Sequence, residues 1–263
     1  MDYSAYKHLK FERRDRILTI TLNRPPMNPI HYELHTELSR LWYQVQVDHE
    51  TDVVIFTGAG EVFSAGGDIP MMQKRIDNPE LFNQKNLEMK QMIFGLIELE
   101  KPVIARINGD CIGLGATLAL LCDIMIAVDD ARFCDPHVKM GYVAGDGGAV
   151  IWPQLIGFAR AKEYLLTGDM LDAREAERIG LINYAVPRDQ LDAKVNAFAE
   201  KLANGASKAI KWTKTSMNIP LRQLAHSMMD ASLAYEALTN MGPDHQEAVT
   251  AFQEKRKPRF TGR

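Results

Sequence analysis

The segment from Phe133 to Pro153 reads F-C-D-P-H-V-K-M-G-Y-V-A-G-D-G-G-A-V-I-W-P and sets His137 and Asp146 nine residues apart. Gly141, Gly145, Gly147 and Pro136 lie between or beside them. Glycine permits backbone conformations that other residues avoid, and proline fixes φ. Most of the segment is therefore neither helix nor strand, and it can turn both side chains onto one cavity. An imidazole and a carboxylate at the mouth of an apolar helix, Ala149 to Ile156, are groups that general acid–base chemistry uses. Asp146 has three readings: it orients His137, it transfers protons itself, or it caps the helix that follows. The segment by itself would equally serve as a surface loop with two solvated polar groups.

Two glycine turns supply a second kind of chemistry. Ser64-Ala65-Gly66-Gly67-Asp68 follows one short apolar strand, and Gly113-Leu114-Gly115 follows another. Glycines at a strand-to-helix turn leave backbone N–H groups unpaired and approachable. Two such turns can each aim one N–H at a single oxygen, with the dipole of the second helix adding to the field. Either turn alone would only cap a helix. Asp68 reads first as a helix N-cap.

These groups need a frame. Phe11–Arg14 and Ile17–Leu22 read as a hairpin, Tyr32–His49 as an amphipathic helix and Val53–Thr57 as a buried strand. A helix from about Pro79 to Glu100 is predicted to be followed by strands at Val103–Ile107 and Ile124–Val128, which flank the helix Ala116–Leu121. Further on, helices are predicted at Ala159–Leu166, Ala173–Ile179 and Leu191–Leu202, with a strand at Leu181–Val186. Helices at Lys208–Met217, Leu221–Leu238 and Asp244–Lys255 complete the chain. Residues 1–200 thus repeat strands followed by a helix, and residues 201–263 are helical only. Amphipathic helices without a strand partner often bury their apolar face on a neighbouring subunit.

Composition narrows the function. Apolar residues make up 46% and charged residues 25% of 263 residues, as in ordinary globular proteins. A net charge of −3 gives no polyanion-binding signal, so nucleic acid is not an expected partner. Cys111, Cys122 and Cys134 are odd in number, sit in or beside apolar runs and match no metal spacing, which points to buried thiols in a reducing compartment. No metal site is expected. The N-terminus lacks a signal-type apolar core and no apolar run reaches membrane-span length, so a cytoplasmic protein is expected.

The motifs carry a resemblance. F-S-A-G-G-D-I, then I-N-G-x-x-x-G-L-G-x-x-L-A-L-x-C-D, then the G-D-G-G loop are similar to the crotonase (enoyl-CoA hydratase/isomerase) superfamily. N-R-P-P-M-N near the start, L-T-G-D-x-L-D-A-x-E-A-x-R-I-G-L-I-N-x-x-V in the middle and F-x-E-K-R-K-P-x-F-x-G at the end extend the match over nearly the whole chain. The resemblance implies an α/β fold, a spiral of repeated ββα units with a C-terminal all-helical trimerisation domain, assembled as a trimer or a dimer of trimers. It implies an acyl-CoA substrate, with coenzyme A part of the substrate and no separate cofactor. The thioester oxygen would lie between the N–H groups of Gly67 and Leu114. Arg24, Pro26 and Met27 would meet the nucleotide end, Ala65, Asp68 and Ile69 would line the site, and Phe252 and Lys255 of a neighbouring subunit would cover the phosphates. Met71, Met72, Met89 and Met92 would line an acyl pocket or fill core gaps.

The chain departs from the family at two points. Where a hydratase of this kind carries glutamates, it has Thr117 and His137. Thr117 cannot act as a base near neutral pH and reads as a hydrogen-bond donor or packed helix residue. His137 can act as a base. The pattern P-H, G-x-V, G-D-G, W-P resembles the third loop of 6-oxocamphor hydrolase, a C–C bond hydrolase in which a His–Asp pair activates water. The matching A-x-E-A-L stretch would add Glu236, which by itself reads as a solvated helix position. The retained Ser64–Asp68 turn is the one expected of CoA users. The expected activity is therefore of enoyl-CoA hydratase/isomerase type, with a His/Asp pair replacing the two glutamates. The alternatives are C–C hydrolysis of a β-dicarbonyl, either a 3-oxoacyl-CoA or a cyclic β-diketone, and a non-catalytic CoA-ester or RNA-binding member.

Overall fold

The computed structural model describes residues 1–262. β1 (Leu9–Arg14) and β2 (Ile17–Leu22) pair antiparallel, from Leu9 opposite Leu22 to Arg14 opposite Ile17. Asp15 closes the turn with φ 52°, a conformation Asp tolerates better than most residues. α1 (Tyr32–Gln46) buries Leu34, Leu38, Leu41 and Val45, the helical stripe read from the sequence. β3 (Val53–Gly58) is buried throughout. α2 (Ile69–Asp77) follows the first glycine turn, and α3 (Glu80–Glu98) comes next. The sequence reading left α2 out, because Pro70 and Pro79 flank a stretch with little apolar periodicity. Asp68 starts this helix as its N-cap, accepting the Met71 N–H at 3.3 Å, as expected.

The chain then alternates between two sheets. β4 (Val103–Ile107), β6 (Ile124–Val128) and β9 (Tyr184–Val186) join the larger sheet, in the order β1-β2-β3-β4-β6-β9 and parallel from β2 onward. β5 (Cys111–Ile112), β7 (Arg132–Cys134) and β8 (Leu171–Asp172) form the smaller one, in the order β5-β7-β8. Single bridges, Ser64 with Cys111 and Ile30 with Gly67, continue that smaller sheet. Each turn of the chain thus lays one strand on the large sheet, one short strand or bridge on the small one, and then a helix. This is the ββα winding. α4 (Leu114–Leu120) is buried at every position.

α5 (Gly148–Thr167), α6 (Ala173–Ile179) and α7 (Arg188–Ala203) follow in the same pattern. α5 joins the two helices expected at 149–156 and 159–166 across a kink, where Gly157 takes φ 75°. The strand expected from Leu181 begins only at Tyr184. Gly180, at φ 85°, ends α6, and the Leu181 N–H donates back to the Ala176 carbonyl at 2.8 Å. Those residues belong to a helix cap.

α8 (Ser207–Asn240) and α9 (Pro243–Gln253) complete the chain. α8 runs through Pro220, where the sequence reading broke it in two. Tertiary contacts hold both halves along α3: Asn218 Nδ2 donates to the Ile97 carbonyl at 2.9 Å, and Lys90 pairs with Asp230 at 2.6 Å. α9 stops at Gln253 rather than Lys255, which takes a left-handed φ of 55°. Among the described residues, no helix is long and apolar enough to cross a membrane.

Candidate active site

The two glycine turns touch. Ser64 Oγ donates to the Asn28 carbonyl at 2.9 Å and accepts the Gly66 N–H at 3.1 Å, fixing the first turn. Gly66 has φ 80°, and a methyl group there would come within 2.8 Å of the Ile112 carbonyl oxygen. A methyl on Gly115 would meet Ser64 Cβ at 2.6 Å. Both positions need glycine so that the first turn can lie against the start of α4. The next amides are those of Gly67 and Leu114, and both residues line one cavity. Neither N–H donates to an acceptor among the described residues. Leu114 opens α4, so its N–H also sits at the positive end of a helix dipole.

The opposite wall is the acid–base segment. His137 begins a short 3₁₀ turn, residues 137–140, after Pro136. Its Nδ1 faces the Asp135 carboxylate in a short contact, and its Nε2 lies 3.4 Å from Asp146 Oδ2. The imidazole is thus held between two carboxylates. Burial alone would lower its pKa, but Asp135 and Asp146 together raise it well above the ordinary histidine value. The two carboxylates thus favour the charged form of the imidazole. For Asp146 burial pushes the pKa up, but the facing His137 charge prevails and holds it below the usual carboxylate range. Thr117 Oγ1 donates to Asp146 Oδ1 at 3.4 Å, so the threonine at the family's glutamate position tethers this carboxylate. The backbone N–H of Gly148, at the start of α5, also helps to hold the Asp146 pKa down.

Glu236 comes from α8 and is 3% exposed, not solvated as its own stretch suggests. Gly145 makes room for it: a methyl there would sit 2.7 Å from Glu236 Oε2. That oxygen has no hydrogen-bond partner among the described residues. Burial, followed by the nearby Asp146 charge, pushes its pKa up to about 8, so Glu236 is protonated at neutral pH. Asp146 and Glu236 are two carboxyls on one cavity, one kept ionised and the other kept neutral. Such a split marks a base and an acid.

The cavity, about 700 Å³, is lined by Met71, Met72, Met89 and Met140 around His137, Asp146 and Glu236. Of the expected binding residues, Met27, Ala65, Asp68, Ile69 and Phe252 line it; Arg24, Pro26, Thr117 and Lys255 do not. Arg24 instead pairs with Asp68 at 3.3 Å and donates to the Pro29 carbonyl at 2.8 Å. Lys255 is exposed beyond the end of α9. Met92 is core, apart from the cavity. α9 folds onto its own chain, which brings Phe252 to the cavity of the same subunit. His245 is fully buried in α9. Its Nδ1 donates to the Met140 carbonyl at 2.7 Å and its ring stacks on Tyr142 at 4.2 Å, clamping the turn that carries His137.

Asp135, His137 and Asp146 offer ligand atoms within 4.8 Å of one another, an oxygen–nitrogen–oxygen set of the kind a cation uses. Here the imidazolium fills it, and a metal would have to displace the ring proton. Two residues of the site escaped the sequence reading. Asp135 had a local signal: in D-P-H an aspartate can accept the N–H two residues on, and it does so from His137 at 3.3 Å. Arg75, which lines the cavity, had none.

Comparison with known proteins accords with this architecture. The family model described as enoyl-CoA hydratase/isomerase matches residues 12–263. Crotonyl-CoA hydratase of Syntrophomonas wolfei is 34% identical over 97% of this chain and 98% of its own. A crystal structure of an enoyl-CoA hydratase/isomerase from Mycobacterium paratuberculosis superposes with TM-score 0.90, at 33% identity over 94% of this chain and 99% of the other. A β-diketone hydrolase from the cyanobacterium Anabaena, bound to (S)-3-oxocyclohexyl acetic acid, superposes with TM-score 0.85, at 27% identity over 91% of this chain and 96% of the other.

Proposed function

The chain belongs to the enoyl-CoA hydratase/isomerase family, and from the geometry of its cavity we propose that it adds water to an enoyl-CoA through a thioester enolate. The observation that carries this is the split carboxyl pair, Asp146 ionised and Glu236 neutral, on the same cavity as two unpaired backbone N–H groups. The N–H groups of Gly67 and Leu114 bind the thioester oxygen and draw electron density from the conjugated double bond. Water gives a proton to the Asp146 carboxylate as its oxygen bonds to the β-carbon. The resulting enolate takes a proton at the α-carbon from the Glu236 carboxyl. The proton on Asp146 then returns to Glu236, and the site is reset. The His137 imidazolium, aligned by Asp135, keeps Asp146 ionised. The chemistry of the missing glutamates is thereby carried by two carboxyls at other positions.

A second reading has its own support in the likeness to a β-diketone hydrolase. In it the same water attacks the ketone carbon of a cyclic 3-oxoacyl-CoA. The bond from that carbon to the α-carbon breaks, its electron pair forms the thioester enolate, and Glu236 protonates the α-carbon. Incubation with crotonyl-CoA and, separately, with 2-oxocyclohexanecarboxyl-CoA, followed by mass spectrometry, separates the two. Gain of water by the first alone supports hydration. Gain by the second alone sinks it in favour of C–C hydrolysis.

Turnover should fall with rising pH above about 8, as Glu236 loses its proton. Glu236→Gln should be slower and should lack this alkaline limb. The same group makes folding pH-dependent. Its pKa in the folded chain, about 8, exceeds the ordinary 4.5, so its contribution to stability is present at low pH and is lost as pH rises through about 8. The melting temperature of the wild type should drop relative to Glu236→Gln over that range. A flat difference across it would contradict a buried neutral carboxyl.

A further inference from the structure

We propose that Arg75 recognises a second carboxylate, carried by the acyl group at its end remote from the thioester. The inference rests on the acyl-thioester reading above and adds to it the class of acyl group.

Arg75 lies on α2, is 6% exposed and lines the cavity. Its guanidinium stacks over Tyr32 at 5.6 Å and Phe82 at 5.3 Å. Its Nε is sealed from solvent without an acceptor. Among the described residues, no carboxylate forms an ion pair with it; the Tyr142 hydroxyl is its hydrogen-bonding neighbour, and the Glu236 carboxyl lies near enough to feel its charge. The other two buried cations are satisfied: Lys214 pairs with Asp123 at 2.7 Å, and Lys101 donates to the carbonyls of Val45 and Asp48. An unpaired buried charge is costly to hold, and two aromatic faces orient this one without neutralising it. A group built this way is completed by a ligand.

A carboxylate fits it best. The guanidinium is planar and takes two oxygens at once. A dianionic phosphate would need a second cation, and His35, the nearby imidazole on the cavity, does not supply one. Burial lowers the His35 pKa despite its contact with Glu88, with Nδ1 held at 2.9 Å by that carboxylate. Arg75 stands seven residues beyond Asp68, roughly 10 Å along the axis of α2 from the first glycine turn. The carboxylate therefore belongs to the acyl chain and not to the thioester carbonyl. It can reach the site as part of the substrate. It can also arise there, because ring opening of a cyclic 3-oxoacyl-CoA turns the attacked ketone into a remote carboxylate, with water supplying the oxygen.

The test needs no variant at first. Calorimetry on the wild type compares glutaryl-CoA and pimeloyl-CoA with their ω-methyl esters, which have the same chain and no charge. At least one acid should bind about 10- to 100-fold more tightly than its ester. Arg75→Met should bind acid and ester alike, and Arg75→Lys should recover part of the preference. Equal binding of acids and esters by the wild type would overturn the proposal and leave the thioester reading standing. Binding of no CoA ester would overturn both. Turnover of 2-enoyl-CoAs with and without an ω-carboxylate, and product inhibition by pimeloyl-CoA during ring opening, then tell the substrate source from the product source.

Discussion

Asp146→Asn should lower kcat by roughly 10²- to 10⁴-fold, the usual worth of a positioned general base. The substitution keeps the shape of the side chain and can keep a hydrogen bond to Thr117, but it removes the charge that accepts the proton of water. It also removes one of the two carboxylates that hold His137 charged, so the pKa of the imidazole should fall towards its ordinary value. Binding of a saturated acyl-CoA should change little, because neither thioester donor is touched. Stopped-flow turnover and calorimetry on one preparation read both quantities. His137→Ala should be nearly as damaging, since it leaves Asp135 and Asp146 buried side by side without their shared cation. Because the two act as a unit, the double variant should be little worse than Asp146→Asn alone. An Asp146→Asn enzyme with undiminished kcat would refute Asp146 as the base.

Leu114→Pro should cost about 10²- to 10³-fold in kcat, the loss expected when one donor is removed from an oxyanion site. Proline suits this position unusually well. Leu114 is the first residue of α4, where helices accept proline and its missing N–H breaks no internal bond. Gly113, at φ 54°, keeps its glycine freedom before the proline. The fold should survive, as a melting curve would verify, while the thioester oxygen loses one of its two donors. The fall should appear mainly in kcat, because the developing negative charge exists in the transition state and not in the bound ester. A comparable loss in ground-state binding, with kcat intact, would place the oxygen elsewhere.

These two substitutions lie on parts of the site that differ in how local their geometry is. The glycine turns are legible in the sequence because their geometry is local. Only glycine fits where φ is positive or a backbone passes within methyl distance, so Gly66, Gly113 and Gly115 announce themselves by type and spacing. The strands that carry them, and the pairing of His137 with Asp146, were legible for the same reason. Local signals also misled. Pro220 suggested a helix end, yet α8 continues through it because α3 holds both halves.

The proposed assignment of acid and base rests on tertiary structure alone. A pKa belongs to an environment and not to a residue type. His137 is a histidine with an ordinary value until Asp135 and Asp146 close on it. Glu236, ninety residues beyond Asp146, reads as a solvated helix residue until α8 packs over the cavity and Gly145 opens a place for it. Arg75 is hidden in the same way, since nothing in its neighbours in the chain says that two aromatic rings will hold it unpaired inside. The sequence by itself determined where the two glycine turns lie and which loop faces them. The packing of α2 and α8 across that loop decided which carboxyl is pushed towards its neutral form, which is held towards its charged form, and which cation is buried without an ion pair, because burial and charge proximity are set between segments far apart in the chain.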